Sequence, residues 1–111
     1  MSDEKTVTLP LAELGVGTMR ACTVGEREVI VCRTKAGVFV LDNICTHAFA
    51  RLSEGRLRGT RIICPLHGAS FDVRDGRVLG APATQALATF PVRIDGESVE
   101  FSVPQPNPRI P

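Results

Sequence analysis

Tryptophan and tyrosine are absent from this chain, and histidine appears only twice in 111 residues. Without the two strong ultraviolet absorbers, protein absorbance near 280 nm is small, and any coloured group the chain binds dominates its spectrum. With two imidazoles, a metal centre that needs a histidine pair can be built once and not twice. Long apolar runs are missing as well, since none approaches the ~18 residues of a membrane-spanning helix. The opening Met1-Ser2-Asp3-Glu4-Lys5 lacks the basic stretch and apolar core of a secretory signal, so a cytoplasmic location is expected. Nor does one sign of charge dominate. Thirteen Lys and Arg against twelve Asp and Glu leave +1, which gives no global field for nucleic acid or an acidic membrane, so any electrostatic steering must be local. The length is that of one domain, enough to bury about 60–70% of the unfolded surface. Little room is left for a second catalytic domain, and a monomer is expected.

What is present reads as strand. The apolar runs are short, rich in Val and Ile and separated by turn signals, a pattern that predicts an all-β fold. Thr6–Leu9 opens a strand, and Leu11–Leu14 is a short turn or a single helical turn. Arg20–Val24 and Glu28–Arg33 flank Gly25, and Val38–Leu41 follows Lys35-Ala36-Gly37, so these three form a meander. Further strands are expected at Arg61–Cys64, Ser70–Val73 and Arg77–Leu79. A final hairpin runs from Leu87–Ile94 through Asp95-Gly96 to Glu97–Val103. Residues 1–103 are thus read as a single domain. Alternation breaks between Asn43 and Gly80, which predicts a small subdomain at about 43–80 with two finger-like loops on the β scaffold. The Pro-rich tail, 104–111, lacks donors at every other position and is expected to stay out of any ladder.

Four cysteines in a short chain suggest disulfides when the protein is exported, but nothing here points to export, and ligation is the better reading. Cys22 and Cys32 are not a disulfide pair. With a turn near Gly25 they fall four or five residues out of register, roughly 15 Å apart at about 3.3 Å per residue, against a limit of ~7 Å between Cα atoms. They are expected to be buried free thiols. Cys45 and Cys64 differ, because each lies within three residues of one of the two histidines. Cys45-Thr46-His47, then sixteen residues, then Cys64-Pro65-Leu66-His67 supplies two thiolates and two imidazoles from two loops. Such a set holds either a structural zinc ion or a 2Fe-2S cluster. Zinc modules usually contribute like pairs, whereas each loop here contributes one Cys and one His in the same order. A cluster needs that mixture, because each loop must reach both irons. Gly68 after the second pair and Gly55 between the pairs suit tight turns and close backbone approach to inorganic sulfide.

At these residues the sequence resembles the Rieske family, whose motif is C-x-H, a spacer of fifteen or more residues, then C-x-x-H. The likeness continues through Gly68, Ser70-Phe71-Asp72, the Asp75-Gly76 turn, Gly80-Ala81-Pro82-Ala83 and Phe90-Pro91-Val92, and covers roughly residues 5 to 103. It implies antiparallel sheets with a cluster-binding subdomain. Cys45 and Cys64 would hold the inner iron of one Rieske-type 2Fe-2S cluster, and His47 and His67 the outer one. The segment around Pro82 would cover the cluster's third side. High-potential members carry an extra cysteine in each ligand loop, where this chain has Ala50 and Leu66, so no bridge is possible. They also place Ser and Tyr hydroxyls where this chain has Ala69 and Phe71. Hydrogen bonds to the cluster sulfurs stabilise the added electron, so their absence predicts the low end of the range of about −150 to +300 mV.

These departures resemble the Rieske ferredoxins of bacterial aromatic-ring-hydroxylating dioxygenase systems. The likeness implies a carrier, not an enzyme, that takes single electrons from an NAD(P)H-dependent flavoprotein reductase and gives them to a terminal Rieske non-heme iron oxygenase. Because both histidines are assigned to the cluster, a second iron site of the two-His, one-carboxylate kind is excluded. The readings set against it are a small Rieske subunit of an assimilatory nitrite reductase, a zinc-stabilised interaction module, and an iron-sulfur sensor. The stretch Asn43–Gly80 holds six arginines, at 51, 56, 58, 61, 74 and 77, against Glu54, Asp72 and Asp75, for a local charge of +3. That is either a docking patch or a solvated face.

Overall fold

The computed structural model describes residues 4–46 and 49–105, and the predicted ligand His47 lies outside them. Three antiparallel sheets account for the described strands. In the first, β11 (Ser98–Pro104) lies between β1 (Glu4–Pro10) and β10 (Val92–Asp95). The second is the expected meander of β2 (Thr18–Val24), β3 (Arg27–Thr34) and β4 (Gly37–Asp42), completed by the two-residue β9 (Thr89–Phe90). The third runs in chain order through β5 (Arg56–Arg58), β6 (Arg61–Ile63), β7 (Ser70–Asp72) and β8 (Val78–Gly80). Leu11–Glu13 is a single 3-10 turn, as expected.

The second sheet is covered on both faces, and this organises the molecule. Ile30, Cys32 and Leu41 face one core with Leu52, Ile62, Phe71, Cys45 and Cys64 from the third sheet and its loops. Val29, Val31, Val38 and Val40 face the other with Val99, Phe101 and Val103 from the first sheet. A strand buried on both faces reads as a continuous apolar run and not as an alternation, which is why Val29-Ile30-Val31-Cys32 is uninterrupted. Each such aliphatic side chain contributes about 1.5–3 kcal/mol relative to remaining in water.

Several expectations need correction. The final hairpin does not begin at Leu87, because β9 pairs with β4 in the second sheet while β10 pairs with β11 in the first. Pro91, which has no N–H to donate, marks the change of sheet. Cys22 is opposite Val29 and Cys32 opposite Met19, so the two thiols are three residues out of register and not four or five. An odd offset sends them to opposite faces, Cys22 toward one core and Cys32 into the other. Neither forms a disulfide. Burial pushes the Cys32 thiol up to about 12, which leaves it inert. The tail starts later than expected: Pro104 ends β11 opposite Glu4. The Gln105 side chain then donates to the Val24 carbonyl and accepts from the Glu26 N–H, both at 2.9 Å. The rest of the tail lies outside the described residues.

Asp72 anchors the turn between β7 and β8. Its side chain is 2% exposed and accepts from Arg74 Nη2 at 2.7 Å, Arg74 Nε at 3.0 Å and the Arg74 N–H at 2.9 Å, with Arg77 at 3.5 Å. The Arg74 hydrogen bonds outweigh burial and hold the carboxyl down at about 2. A depressed carboxyl stabilises the fold fully above its unfolded value of about 3.9 and loses that contribution as the pH falls toward 2. Asp72→Asn should therefore lower the urea midpoint followed by circular dichroism at pH 7, by about 1–3 kcal/mol of stability. The gap to the parent should narrow between pH 4 and pH 2; a gap independent of pH would show that the carboxylate charge is not what holds this turn.

Candidate metal centre

Two loops built on one plan bring the predicted cysteines together. In the first, the Cys45 N–H donates to the Ala50 carbonyl at 2.9 Å; in the second, the Cys64 N–H donates to the Ala69 carbonyl at 2.7 Å. Each closure runs from the cysteine to the residue five positions later. The second loop is framed by β6 and β7, already paired from Ile63 to Ser70. The first has only an isolated bridge between Ile44 and Arg51, and Asn43 strengthens it. That residue is wholly buried. Its N–H donates to the Glu28 carbonyl at 3.1 Å and its carbonyl accepts from the Leu52 N–H at 2.7 Å. Its side chain accepts from the Ser53 N–H at 2.8 Å and donates to Ser53 Oγ at 3.1 Å. Both sides of the loop are thereby tied to β3.

Cys45 and Cys64 are 3% and 2% exposed and lie in one core with Ala69, Phe71, Ala83 and Leu87. Burial pushes the Cys64 thiol up and the neighbouring Cys45 pushes it the same way, while the Leu66 N–H directed at its sulfur opposes both. Two adjacent thiolates out of water need a compensating cation, which a metal held by both cysteines would supply. His67, three residues beyond Cys64, is exposed. At φ 62° it is the one described non-glycine residue in the left-handed region, and Gly68 follows at φ 74°. That pair reverses the chain directly after the ligand motif. Among the described residues, no three His, Cys, Asp or Glu side chains gather as a single-ion site.

The third side is closed by the segment between β8 and β9. Thr46 Oγ1 donates to the Gln85 carbonyl at 2.7 Å, joining the first loop to it. Ala83 and Leu87 enter the cysteine core, and the Leu87 N–H donates to the Gly76 carbonyl at 2.8 Å. The Ala81-Pro82 bond is cis. Gly55 has a different task from the one expected of it: a Cβ there would overlap the Ile63 carbonyl, so its close approach is to the neighbouring strand. Asn43 and Thr46 were not singled out by motif. An Asn directly after an apolar strand is a local signal for the first, since short polar side chains there bond nearby backbone.

Residues 4–91 match the Rieske [2Fe-2S] domain family. This chain belongs to that family. The family takes a Rieske 2Fe-2S cluster, and two buried cysteine thiols side by side are donors that suit such a group. The chain is 39% identical over 99 residues to the ferredoxin component of a naphthalene 1,2-dioxygenase system from Pseudomonas aeruginosa, covering 89% of this chain and 95% of the relative. Among solved structures it superposes on the ferredoxin of carbazole 1,9a-dioxygenase from Nocardioides aromaticivorans with TM-score 0.82 and 32% identity, covering 87% and 96%. A second match is the ferredoxin-containing complex of reduced oxygenase and oxidised ferredoxin in carbazole 1,9a-dioxygenase, with TM-score 0.77, 34% identity and coverage of 81% and 93%. A nitrite reductase small subunit from Mycobacterium tuberculosis has TM-score 0.76 at 17% identity, with coverage of 93% and 96%, a likeness of fold alone. Each of these dioxygenase relatives is named as the ferredoxin of its system.

Asn43→Ala leaves the Ser53 N–H without its acceptor inside the protein, at a cost of about 1–3 kcal/mol. The loaded protein should melt lower and lose its visible absorbance faster on heating. Asn43→Asp keeps the acceptor and should fall between the two; equal melting of all three would show that the first loop does not depend on this clamp.

Proposed function

We propose that this chain is a one-electron carrier in which Cys45, His47, Cys64 and His67 hold the cluster. It would pass electrons from an NAD(P)H-dependent flavoprotein reductase to a terminal oxygenase, working as a cytoplasmic monomer with residues 1–103 as its Rieske domain. The oxygenase is suggested by the carbazole dioxygenase complex among its structural relatives. The observation that carries the reading is the contrast between the two sides of the site. Both cysteines lie in the core, whereas His67 is exposed. When bound, the cluster accepts and releases a single electron. The protein's part is to shut water from the sulfur side and to present the imidazole side to a partner.

Apolar side chains flank that presenting side. Phe49 on the first loop is 98% exposed and Leu66 on the second is 46% exposed. A large apolar ring left in water on a ligand loop has no role in the fold, and it suits a contact that forms and releases with each electron delivered. No described helix is long and apolar enough to cross a membrane.

The deciding experiment is anaerobic purification with iron and zinc analysis, visible spectroscopy, and electron paramagnetic resonance after dithionite reduction. Two irons per chain and a reduced signal with the low average g of His-ligated clusters are expected; one zinc and no colour would overturn the reading. The tuning argument is tested in the same samples. Ala69 is wholly buried beside Cys64, and Ala69→Ser, by adding a hydroxyl donor there, should raise the potential by roughly tens of millivolts from a starting value near the low end of the Rieske range. A lower or unchanged potential would sever the link between missing hydroxyls and low potential.

A further inference from the structure

The six arginines between Asn43 and Gly80 fall into two sets according to their partners. Arg51 Nε donates to Glu28 Oε1 at 2.9 Å, and the field of Glu54 acts on the same guanidinium. Arg74 and Arg77 share Asp72, and Asp75 adds its field at Arg74 while accepting from the Arg77 N–H at 3.0 Å. None of the segment's carboxylates forms an ion pair with any of its other three arginines among the described residues. Arg56, Arg58 and Arg61 are left without an ion pair among the described residues, and all three are exposed.

The β5–β6 hairpin gathers these three. Arg58 is directly opposite Arg61, and Arg56 is opposite Ile63. Leu57 and Ile62 turn toward the cysteine core, so strand alternation sends the three arginine stems to the outer face. Asp72 is opposite Arg61 on the next strand, but its oxygens are taken by Arg74 and Arg77. Like charges directly opposite each other in a ladder destabilise it, and no carboxylate forms an ion pair with Arg58 or Arg61 among the described residues.

We infer that the outer face of the β5–β6 hairpin is a docking surface for an acidic patch on a protein redox partner. β6 runs from the patch through Ile63 directly into Cys64, so a partner held there lies alongside the metal-bearing loop. Charge at such a rim raises the rate of encounter more than the final affinity, and it does so at low salt. The redox character of the partner rests on the carrier reading; the acidic character rests on the arginines alone. Three free cations on a chain of net charge +1 make a poor match for the unbroken phosphate run of nucleic acid.

The test uses cluster-loaded protein and labelled poly-L-glutamate as the probe, followed by anisotropy at about 20 mM salt, where the Debye length exceeds the patch. The variant R56Q/R58Q/R61Q is compared with R20Q/K35Q/R93Q, which removes the same charge from exposed positions elsewhere. The patch variant should bind about tenfold more weakly and the control less than twofold more weakly. Equal losses in both would overturn the inference, since net charge alone would then explain binding. Tighter binding of a DNA duplex than of poly-L-glutamate would overturn it in favour of nucleic acid. Visible spectra matching the parent's show that a lost patch is not a lost cluster site, and a parent without iron would remove the carrier reading while the binding comparison still decides the patch.

Discussion

Cys45 and Cys64 meet inside a core that also holds Ile30, Cys32, Leu41, Leu52 and Phe71, and much of the third sheet is arranged around that meeting. The Cys64 thiol, out of water beside Cys45, resists ionising, because burial and the neighbouring thiol both oppose the charge. Iron of the family's cluster, held by the two sulfurs, would reverse that balance by adding positive charge. The cost of the site in the empty protein and its affinity for the cluster are therefore two sides of one quantity, and loading and folding are thermodynamically linked. The linkage explains why the loop closures use backbone hydrogen bonds in preference to apolar packing. Cys45 to Ala50 and Cys64 to Ala69 fix the loop shape through the backbone alone, which would lower the ordering cost of binding a group at the two sulfurs.

The second sheet makes this arrangement affordable. Because β3 and β4 are buried on both faces, the metal-bearing layer packs on a surface that the first sheet already supports from behind. Arg27 adds a bidentate pair with Asp42 at 2.9 and 3.0 Å and lies over the Phe90 ring at 4.8 Å, fastening β3, β4 and β9 at the end nearest the first ligand loop.

The scaffold strands were legible because each is a run of Val and Ile bounded by a turn signal. β5 was not. Its three residues, Arg56-Leu57-Arg58, carry one apolar side chain, and the strand exists because Gly55 lets the backbone come against Ile63. The switch of sheets at Pro91 was hidden for a related reason: Thr89-Phe90 and Val92–Asp95 form one apolar pattern, and only the missing N–H says that they belong to different ladders. Three of the four proposed ligands lie in the described residues, and the motif could propose them because ligand spacing is local. Asn43 was missed because its partners, Glu28, Leu52 and Ser53, become neighbours only in the fold.

Charge follows the same logic. The +3 of the Asn43–Gly80 stretch is a sum over residues, and a sum does not distinguish arginines that hold the fold from arginines that face a partner. Asp72 settles the matter for two of the six. Together with Asp75 it balances Arg74 and Arg77, and with both guanidinium groups on its oxygens it makes no ion pair with Arg61 across the ladder. Glu28 does the same for Arg51 from a different sheet. The field that remains is therefore more local than the sequence suggests, confined to one hairpin beside the second ligand loop. Steering from so small a source decays within about 10 Å at 0.1 M salt, so it acts on a partner already close to the site and biases orientation at contact more than capture from a distance.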